Sequence, residues 1–254
     1  MIPETDPVVF RLKEVDSTNL YVREHFDELP DLALVTAESQ TAGRGRLGRK
    51  WLSPAGLNFY GTFCFKHLTD GFRAGVLCGV SLIRTLRAVA PGTDCYLKWP
   101  NDVYIGKAKL AGLLGEGVLR QGKIAGIAFG IGVNVNATEE HFAALDQRAT
   151  SLKIASGRDF DVDFIGKSLA KSLKQCYINC LNSFDGIFAE WREANRLIGR
   201  RITLVAADGN RYEGIFRDVD ASGAMLLEYE PSPGAGPVVR AFNCGDVSIE
   251  KSSI

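Results

Sequence analysis

The chain has 254 residues, of which 46% are hydrophobic and 24% charged, the proportions of an ordinary soluble globular protein. Its 30 Lys and Arg balance its 30 Asp and Glu, so the formal net charge of zero excludes a global field that attracts nucleic acid or an anionic membrane. Neither a signal peptide nor an apolar run of roughly 18 residues is present in the sequence. We expect a cytoplasmic protein that binds no specific DNA and no membrane.

Strand and helix patterns fill residues 1–197, which we assign to a first domain. Apolar residues recur three and four positions apart from Val76 to Val89, which indicates a helix with one face in the core. Short apolar runs bounded by turn residues indicate strands elsewhere. In chain order, the predicted elements are a strand over 8–15, a helix from 16–19 to about Glu28, strands over 32–37 and 58–65, a helix over 71–89, two short strands over 96–105 that break at Pro100, an antiparallel pair over 107–116 and 123–135, a helical turn at 139–145, and helices over 162–181 and 184–198.

The hydrophobic period changes near residue 200. Short strands separated by Asp-Gly, Ser-Gly and Pro-Gly turns are predicted over 202–205, 211–219, 224–229, 238–242 and 247–249. Five short strands at this spacing predict a small β-barrel. We therefore expect a second domain at residues 198–254.

The segment from Gln40 to Trp51 has the most unusual composition. It reads Gln-Thr-Ala-Gly-Arg-Gly-Arg-Leu-Gly-Arg-Lys-Trp, with three glycines and four cations in twelve residues. Glycine lets backbone N–H groups approach a phosphate, and Arg and Lys supply charge, so an anionic ligand is favoured over an exposed basic turn. Residues 43–51, the Gly-Arg loop, follow a strand. Their glycines and like charges predict a lid that becomes ordered on a ligand.

Two glycine patterns match nucleotide-binding fingerprints but lack the structural context that those fingerprints need. The Gly-Arg loop spells G-x-G-x-x-G, yet residues 49–56 run into a proline and another glycine, so we predict no helix there. The G-x-x-x-x-G-K pattern at 117–123 continues with Ile124 instead of Ser or Thr. We interpret it as a strand, a turn and a second strand.

Three further features have two interpretations each from the residues alone. Asp-Ser-Thr-Asn at 16–19 supplies N-cap residues, and its hydroxyls and amide also suit a polar ligand. Glycines in the strand at 130–134 indicate that another strand or a ligand approaches the backbone closely. The six cysteines include no C-x-x-C pair, which favours buried free thiols over a metal site.

Five motifs in their order and spacing resemble those of the bacterial biotin protein ligases in their monofunctional form. They are Asp-Ser-Thr-Asn at 16–19, the segment at 40–51, Lys-Trp-Pro-Asn-Asp at 98–102, Lys-Leu-Ala-Gly at 109–112 and Gly-Ile-Gly-Val-Asn at 130–134. The resemblance implies an α+β fold, with a mixed or antiparallel sheet and flanking helices (the biotin/lipoate ligase catalytic fold) and a C-terminal SH3-like β-barrel. Because the first predicted strand begins within ten residues of Met1, we expect no helix-turn-helix domain and no repressor role.

The resemblance also implies a reaction in two steps. Biotin and ATP, with Mg, give biotinyl-5'-adenylate and pyrophosphate, and a lysine of a biotin carboxyl carrier protein then receives the biotinyl group. A homodimer is one assembly that the resemblance allows. One alternative is a lipoate ligase or related acyl-adenylate-forming transferase, which has a different glycine motif. Another is a non-enzymatic module whose Gly-Arg loop contacts RNA, which zero net charge and the absence of stacked aromatics beside the basic residues disfavour.

Site residues follow from the same resemblance. Arg44, Arg46 and Lys109 are the predicted catalytic cations, because bringing a carboxylate onto a phosphate requires fixed positive charge. The predicted biotin-binding residues are Ser17, Thr18, Asn19, Gln40, Gly43, Arg44, Gly45, Arg46, Trp51, Lys109 and Gly112. The predicted nucleotide-binding residues are Arg44, Arg46, Arg49, Trp51, Lys109 and Asn134, with the loop at 137–150 covering the adenine, Asp102 as the magnesium candidate, and Lys98 and Trp99 shaping the wall.

Overall fold

The first sheet of the molecule is mixed. We describe a computed structural model in which residues 6–206, 208–232, 234–243 and 245–249 are defined. The sheet consists of β1 (Val9–Val15), β2 (Leu34–Gln40), β3 (Phe59–Phe65), β4 (Cys95–Lys98), β5 (Asp102–Ile105), β6 (Ala108–Arg120) and β7 (Lys123–Val133). These seven strands lie in the order β1-β2-β3-β7-β6-β5-β4. Only the β1/β2 pair is parallel, which confirms the predicted mixed sheet.

Helices flank this sheet. In the described residues they are α1 (Thr18–Glu24), α2 (Gly71–Val89), α3 (Glu139–Phe142), α4 (Leu152–Ser156), α5 (Val162–Asn182) and α6 (Phe184–Ala194). α2 has the predicted bounds, and the Asp70 side chain caps it by accepting from the N–H groups of Phe72 and Arg73. Its buried face packs against α5 and α6 and against β6 and β7. The 3.6-residue period thus places α2 at the centre of the core.

Some helices differ from the prediction: three end earlier than expected, among them α3 at Phe142, and one short helix was not predicted. α1 ends at Glu24, before the predicted Glu28, because His25 has already left helical geometry at φ −97° and ψ 19°. α6 ends at Ala194, since Asn195 adopts φ −89° and ψ 93°. α4 was not predicted, and its five residues are too few to show a period. A Ser151 cap begins α4, and Gly157 in the left-handed region at φ 75° ends it.

The G-x-x-x-x-G-K segment is a tight hairpin, as predicted. β6 ends at Arg120 and β7 begins at Lys123, with Arg120 paired to Lys123 across the turn. The two intervening residues, Gln121 at φ 52° and Gly122 at φ 76°, are both left-handed, as a two-residue hairpin turn requires. The Gly-Arg loop likewise opens no α-helix. Its only helical feature is a single 3-10 turn at Arg46–Gly48.

The C-terminal residues form a separate antiparallel sheet. Its strands are β8 (Arg201–Ala206), β9 (Arg211–Val219), β10 (Met225–Tyr229), β11 (Val238–Phe242) and β12 (Gly245–Ile249). They lie in the order β11-β10-β9-β8-β12. The five predicted strands are confirmed, but the sheet is open, because β11 and β12 are its two edges and are not paired to each other in the part of the chain described. The predicted small β domain is therefore present, and its described strands do not close into a barrel.

The two sheets share one hydrophobic core. A single cluster of buried side chains runs from Leu32 to Val247 and includes residues from both sheets. Trp99, after β4, stacks edge-on against Phe216 of β9, and its indole N–H donates to Gly223 O at 3.1 Å. Phe72 of α2 packs directly against Gly223, where a Cβ would lie 2.6 Å from the ring. The C-terminal sheet therefore forms part of the wall behind the Lys-Trp-Pro-Asn-Asp motif.

The described cysteines are free thiols, in agreement with the sequence interpretation. Cys64, Cys78, Cys95 and Cys176 are buried, and Cys180 is partly buried, whereas Cys244 lies outside the described residues. Burial raises the pKa of the Cys64 thiol to about 12, so it stays protonated and unreactive. Among the helices that the structure describes, none has the length and apolar character needed to cross a bilayer.

Candidate active site

Two adjoining cavities open where β2, β6 and β7 meet the Gly-Arg loop. The first has a volume of about 130 Å³ and the second about 410 Å³. Trp51, Lys109 and Gln40 line both cavities and so form the wall between them. The structure brings together nearly all of the predicted site residues around the first cavity, namely Ser17, Thr18, Asn19, Gln40, Arg44, Gly45, Arg46, Arg49, Trp51, Asp102, Lys109 and Gly112.

The other two predicted residues lie close by. Asn134 lines the second cavity, and its side-chain N–H donates to Thr150 O at 3.0 Å. Gly43 lies behind the wall, where a Cβ would be only 2.4 Å from Trp51 O, so glycine is needed there for packing. The second cavity is also lined by Phe142 and Leu145, from the loop predicted to cover the adenine.

Hydroxyl and amide groups of the Asp-Ser-Thr-Asn turn form a buried network at the first cavity. The Thr18 backbone N–H donates to Gln40 Oε1 at 2.9 Å, and Gln40 Nε2 donates to Ser53 Oγ at 2.9 Å. Ser17 has the extended backbone of an N-cap, yet its side chain makes no capping hydrogen bond to α1. Ser17 therefore stands at the N-cap position without a side-chain cap, and the polar side chains at 17–19 line the first cavity, where binding of a polar ligand stays a prediction.

Trp51 and Asn19 lie directly against glycines of β6 and β7, where any larger residue would collide with them. A Cβ at Gly132 would lie 2.6 Å from the Trp51 indole, and one at Gly112 would lie 3.0 Å from the same ring. A Cβ at Gly130 would lie 2.2 Å from Asn19 Oδ1. The Trp51 ring therefore lies flat on two strands. Side chains of the site, and not a further strand, explain the glycine-rich end of β7.

The Gly-Arg loop folds as a short hairpin. Gly45 N donates to Arg49 O at 2.7 Å and Trp51 N to Gly43 O at 3.0 Å. At its tip Leu47, 74% exposed, is left-handed at φ 55°, a region that leucine seldom adopts. Backbone hydrogen bonds therefore close the loop on itself at both ends of the hairpin.

Each arginine of the loop contacts a different part of the chain. Arg44 Nη1 lies 3.8 Å from Glu116 Oε1, on β6. Arg46 Nη1 donates to Asn101 Oδ1 at 3.1 Å, and the amide of Asn101 in turn donates to Leu113 O. Arg49 pairs with Asp246, which lowers the pKa of that carboxyl, so the C-terminal sheet reaches the rim of the site.

Lys109 and Asp102 form an ion pair, with Nζ 2.7 Å from Oδ1. Asp102 Oδ1 lies off the direction of a proper hydrogen bond, so the contact is electrostatic. Lys109 Nζ also lies 5.5 Å from the centre of the Trp51 ring. The loop at 137–150 holds the Lys109 backbone, because Lys109 N donates to Arg148 O and Thr150 N donates to Lys109 O.

Asp102 does not fit a protein-held magnesium site. Mg²⁺ needs several oxygen ligands in octahedral geometry, and the nearest partner of Asp102 is the ammonium group of Lys109. Across the described ranges, no group of three or more His, Cys, Asp or Glu side chains could hold a metal ion. The assignment of Asp102 to magnesium therefore stays a prediction, in which Asp102 would bring one carboxylate to an ion held mainly by ligands from outside the chain.

Three residues outside the predicted set lie at the site: Asn101, Glu116 and Asp246. Lys98 lines the first cavity, where it was predicted to shape the wall. Burial and the nearby Lys109 charge lower the pKa of Lys98, although Asp102 opposes this, and Nζ contacts Tyr104 Oη at 3.2 Å. Glu116 could have been found from the sequence, because Gly112, Leu114 and Glu116 alternate along one face of a strand. Asp246 had no such signal, since it is 197 positions from Arg49.

The first cavity combines hydroxyl and amide side chains with the cations of the Gly-Arg loop, and it meets the second cavity at Trp51. This combination is typical of an enzyme that joins a polar small molecule to an anion. Residues 11–134 match the model of the Biotin/lipoate A/B protein ligase family, and residues 197–249 match the Biotin protein ligase C terminal domain. The chain is 31% identical over 249 residues to the bifunctional ligase/repressor BirA of Escherichia coli (strain K12), covering 95% of this chain and 74% of that protein.

Two further relatives agree. A biotin--[acetyl-CoA-carboxylase] ligase of Paracoccus denitrificans is 31% identical over 245 residues, covering 91% of this chain and 98% of that protein. The structure of a biotin protein ligase from Aquifex aeolicus in complex with biotin and ATP superposes with a TM-score of 0.77 at 27% identity, covering 95% and 97% of the two chains. The chain belongs to the biotin protein ligases of the biotin/lipoate A/B protein ligase family, which confirms the resemblance drawn from its motifs.

Proposed function

We propose that this chain activates biotin with ATP and transfers the biotinyl group to a lysine of a biotin carboxyl carrier protein. In the first step, a carboxylate oxygen of biotin attacks the α-phosphorus of ATP, which forms biotinyl-5'-adenylate and releases pyrophosphate. In the second step, the neutral amine of the carrier lysine attacks the acyl carbon, which releases AMP. The observation that carries this proposal is the pair of cavities that meet at Trp51 and Lys109.

Positive charge at the junction of the cavities suits the first step. The carboxylate and the phosphate repel each other, so fixed cations must balance the charge that grows on the phosphoryl oxygens. Arg44, Arg46 and Lys109 supply these charges at the first cavity. Arg46 is aimed by Asn101 and Lys109 by Asp102, which reduces the reorganisation needed during the reaction.

The first cavity is the proposed biotin pocket. Ser17, Thr18, Asn19 and Gln40 offer hydroxyls and amides to the ureido ring. Such a set discriminates well, since a ligand without the ring would leave these buried groups unpaired. The flat Trp51 ring, with Gly43, Gly45 and Gly112 allowing close approach, forms the apolar wall.

The second cavity is the proposed adenine pocket. Asn134 and the loop at 137–150 border it, and Arg49 lies at the rim of the first cavity where phosphates would leave. The indole N–H of Trp51 is buried and has no hydrogen-bond partner among the described residues, so it is a donor available to a ligand. We propose that Mg accompanies ATP and is held chiefly by its phosphates, since Asp102 is paired with Lys109.

The partners and domain limits complete the proposal. The carrier protein presents its lysine where the two cavities open. Zero net charge gives no basis for specific binding of duplex DNA, and the assembly that we test first is a homodimer. We place the domain boundary at residues 197 and 198, before β8, and the cytoplasm is the proposed location.

The test is pyrophosphate release by the purified chain with Mg-ATP and either biotin or lipoate, followed by mass spectrometry of a carrier domain. We expect release with biotin and a biotin-sized mass increment on one carrier lysine. Release with lipoate alone would support the alternative lipoate ligase. No release with either acid would contradict an adenylating activity.

A further inference from the structure

Glu116 of β6 lies beside the first cavity but outside every motif of the sequence. Its Oε2 accepts from Asn19 Nδ2 at 2.8 Å, and its Oε1 accepts from Arg23 Nη1 at 3.3 Å and lies 3.8 Å from Arg44 Nη1. The side chain is 23% exposed, so water competes little for these contacts. An ionised carboxylate can only accept hydrogen bonds. Glu116 therefore fixes which group donates and which accepts at each hydrogen bond of the network that begins at Asn19; we call this order the direction of the network.

The direction passes first through the amide of Asn19. Its Nδ2 donates to Glu116 and to Leu114 O at 3.1 Å, and both partners are pure acceptors. This settles which end of the amide is nitrogen, an assignment that otherwise depends on choice. Asn19 Oδ1 must therefore accept. Thr62 Oγ1 lies 2.7 Å from it, so the single hydroxyl hydrogen of Thr62 points to Asn19.

The direction passes next from Thr62 to Thr18. Their hydroxyl oxygens are 2.8 Å apart, and Thr62 has no second hydrogen to give, so Thr18 must donate to Thr62. The opposite assignment would leave Thr62 Oγ1 and Asn19 Oδ1 as two acceptors 2.7 Å apart with no hydrogen between them. Thr62, Asn19 and Thr18 are 0%, 4% and 4% exposed, so water does not relieve such a clash.

The far end of the network agrees with this direction. A backbone N–H, that of Thr18, donates to Gln40, so the atom that accepts must be Oε1, at 2.9 Å. Thr18 Oγ1 is 3.2 Å from the same oxygen, which its N–H already satisfies. The hydroxyl hydrogen of Thr18 is therefore free to point at Thr62. Its oxygen then presents a lone pair to the first cavity, which Thr18 lines.

We propose that Glu116 and Thr62 are positioning residues that hold Thr18 Oγ1 as a hydrogen-bond acceptor toward the ligand. This inference rests on the proposed function and adds a selection rule to it. The part of the pocket at Thr18 takes a ligand that donates an N–H, as a cyclic urea does, and rejects a ligand that presents an oxygen there. Neither Glu116 nor Thr62 lines the cavity, so each acts through its neighbours.

Thr62 offers a matched pair of variants. Thr62→Val removes the hydroxyl at nearly constant volume, and Thr62→Ser keeps it. Binding of biotin and of its two cyclic carbamate analogues, each with one ring N–H replaced by oxygen, is measured by calorimetry without ATP. We expect the wild type and Thr62→Ser to prefer biotin to at least one analogue by about tenfold or more. For Thr62→Val that preference should fall to about threefold or less, because the Thr18 hydrogen is free to turn toward the ligand.

A kinetic readout separates positioning from general damage. Thr62→Val should raise the KM for biotin about tenfold, the effect of one hydrogen bond. Its kcat for pyrophosphate release should change by less than about threefold, because Arg44, Arg46 and Lys109 are untouched. A fall in kcat with unchanged ligand preference would overturn the proposal.

Glu116→Gln provides a second, more exposed position in case Thr62→Val folds poorly. Its amide can donate as well as accept, so Leu114 O alone then fixes the orientation of Asn19, and a smaller loss of preference than in Thr62→Val is expected. Arg23→Met is the control, since it removes a contact of Glu116 and leaves Asn19 in place. Wild-type preference in both Glu116→Gln and folded Thr62→Val would overturn the positioning role. A wild type that binds no biotin at all would overturn the proposed function and this assignment with it.

Discussion

Lys109 and Asp102 are a largely buried ion pair, at 15% and 17% side-chain exposure. Loss of Lys109 removes a charge that stabilises the phosphoryl oxygens, so Lys109→Ala should lower single-turnover pyrophosphate release by about 100-fold or more. It also leaves Asp102 without its counter-charge, which should cost about 1–3 kcal/mol of unfolding free energy. Rapid-quench kinetics and urea unfolding measure the two effects.

A double variant separates the loss of stability from the loss of catalysis at the Lys109–Asp102 pair. In Lys109→Ala with Asp102→Asn, the unpaired charge is gone, so the unfolding free energy should recover while pyrophosphate release stays low. If Lys109→Ala releases pyrophosphate at nearly the wild-type rate, Lys109 has no role in the adenylation step.

Lys98 is a second buried cation, and its effect depends on pH. Burial lowers the pKa of Lys98 in the folded chain below the value near 10.5 that it has in the unfolded chain. At a pH between these two pKa values, the unfolded chain binds more protons than the folded chain. The buried Lys98 charge lowers the free energy of unfolding at neutral pH, and this loss is recovered as pH rises between the two pKa values. Lys98→Met should raise the urea midpoint at pH 7, and its advantage over wild type should shrink toward pH 10.5.

An exposed lysine gives the comparison for Lys98. Lys107→Met, in the turn between β5 and β6, should change the midpoint little at either pH, because exposed charges contribute little to stability. A lower midpoint for Lys98→Met at pH 7 would mean that its contacts with Tyr104 outweigh the cost of burial.

At the scale of elements, what could be predicted followed from local patterns. The bounds of α2 and the β6/β7 hairpin are set by neighbours in sequence, through period and turn chemistry, whereas the five motifs were recognised by their resemblance to a family. α4 was missed because five residues show no period. The open C-terminal sheet was missed because strand spacing does not tell whether the first and last strands pair.

The site was predictable to the same extent. Most site residues named from the motifs line the first cavity. Glu116 at Arg44 and Asp246 at Arg49 hold loop arginines from outside the motifs, and Asn101, which holds Arg46, lies in a motif but was not named as a site residue. The pairing of a loop arginine with a distant residue is made by folding and leaves no local pattern, even where the partner itself, as at Glu116, lies in a regular strand alternation. Asp102 illustrates the converse, since a carboxylate in a motif suggested a metal, but the chain brings an ammonium group to it.

The Gly-Arg loop carries a prediction at this scale. Gly45 N and Trp51 N already donate within its hairpin, while the side chains of Arg44 and Arg49 are 42% and 59% exposed and make ion pairs with Glu116 and Asp246. Biotin and ATP supply the counter-charge, so amide hydrogen exchange at 43–51 should slow when both are added. Changes in β8 to β12 should be much smaller. Exchange that is equally slow with and without ligands would exclude a lid.

Closure of the loop should also protect the mixed anhydride from water. Arg44→Ala is therefore expected to release more free adenylate into solution than wild type, measured by chromatography of the quenched reaction. Equal release in the two proteins would leave the Gly-Arg loop with a phosphate-binding role only.

At the scale of the whole molecule, the C-terminal sheet and the catalytic sheet are joined by both apolar and polar contacts. The apolar part is the shared core, with Trp99 packed on Phe216. The polar part lies at its edges, where Arg192 pairs with Asp218 and Arg49 with Asp246. Exposed ion pairs contribute about 0–1 kcal/mol, so the apolar contact should determine how strongly the two sheets are coupled.

This coupling predicts that the chain unfolds in one calorimetric transition, although it matches two family models. Trp99→Phe removes the hydrogen bond to Gly223 O and part of a buried ring, which should cost about 2 kcal/mol and lower the Tm by about 4–8 °C. Asp218→Asn, which breaks only the exposed pair with Arg192, should lower the Tm by less than about 4 °C. Because the core is continuous, Trp99→Phe should shift the whole transition without splitting it. Two separate transitions in the wild type would show that the sheets are stabilised independently, and the wall behind Lys98 would then not depend on the C-terminal sheet.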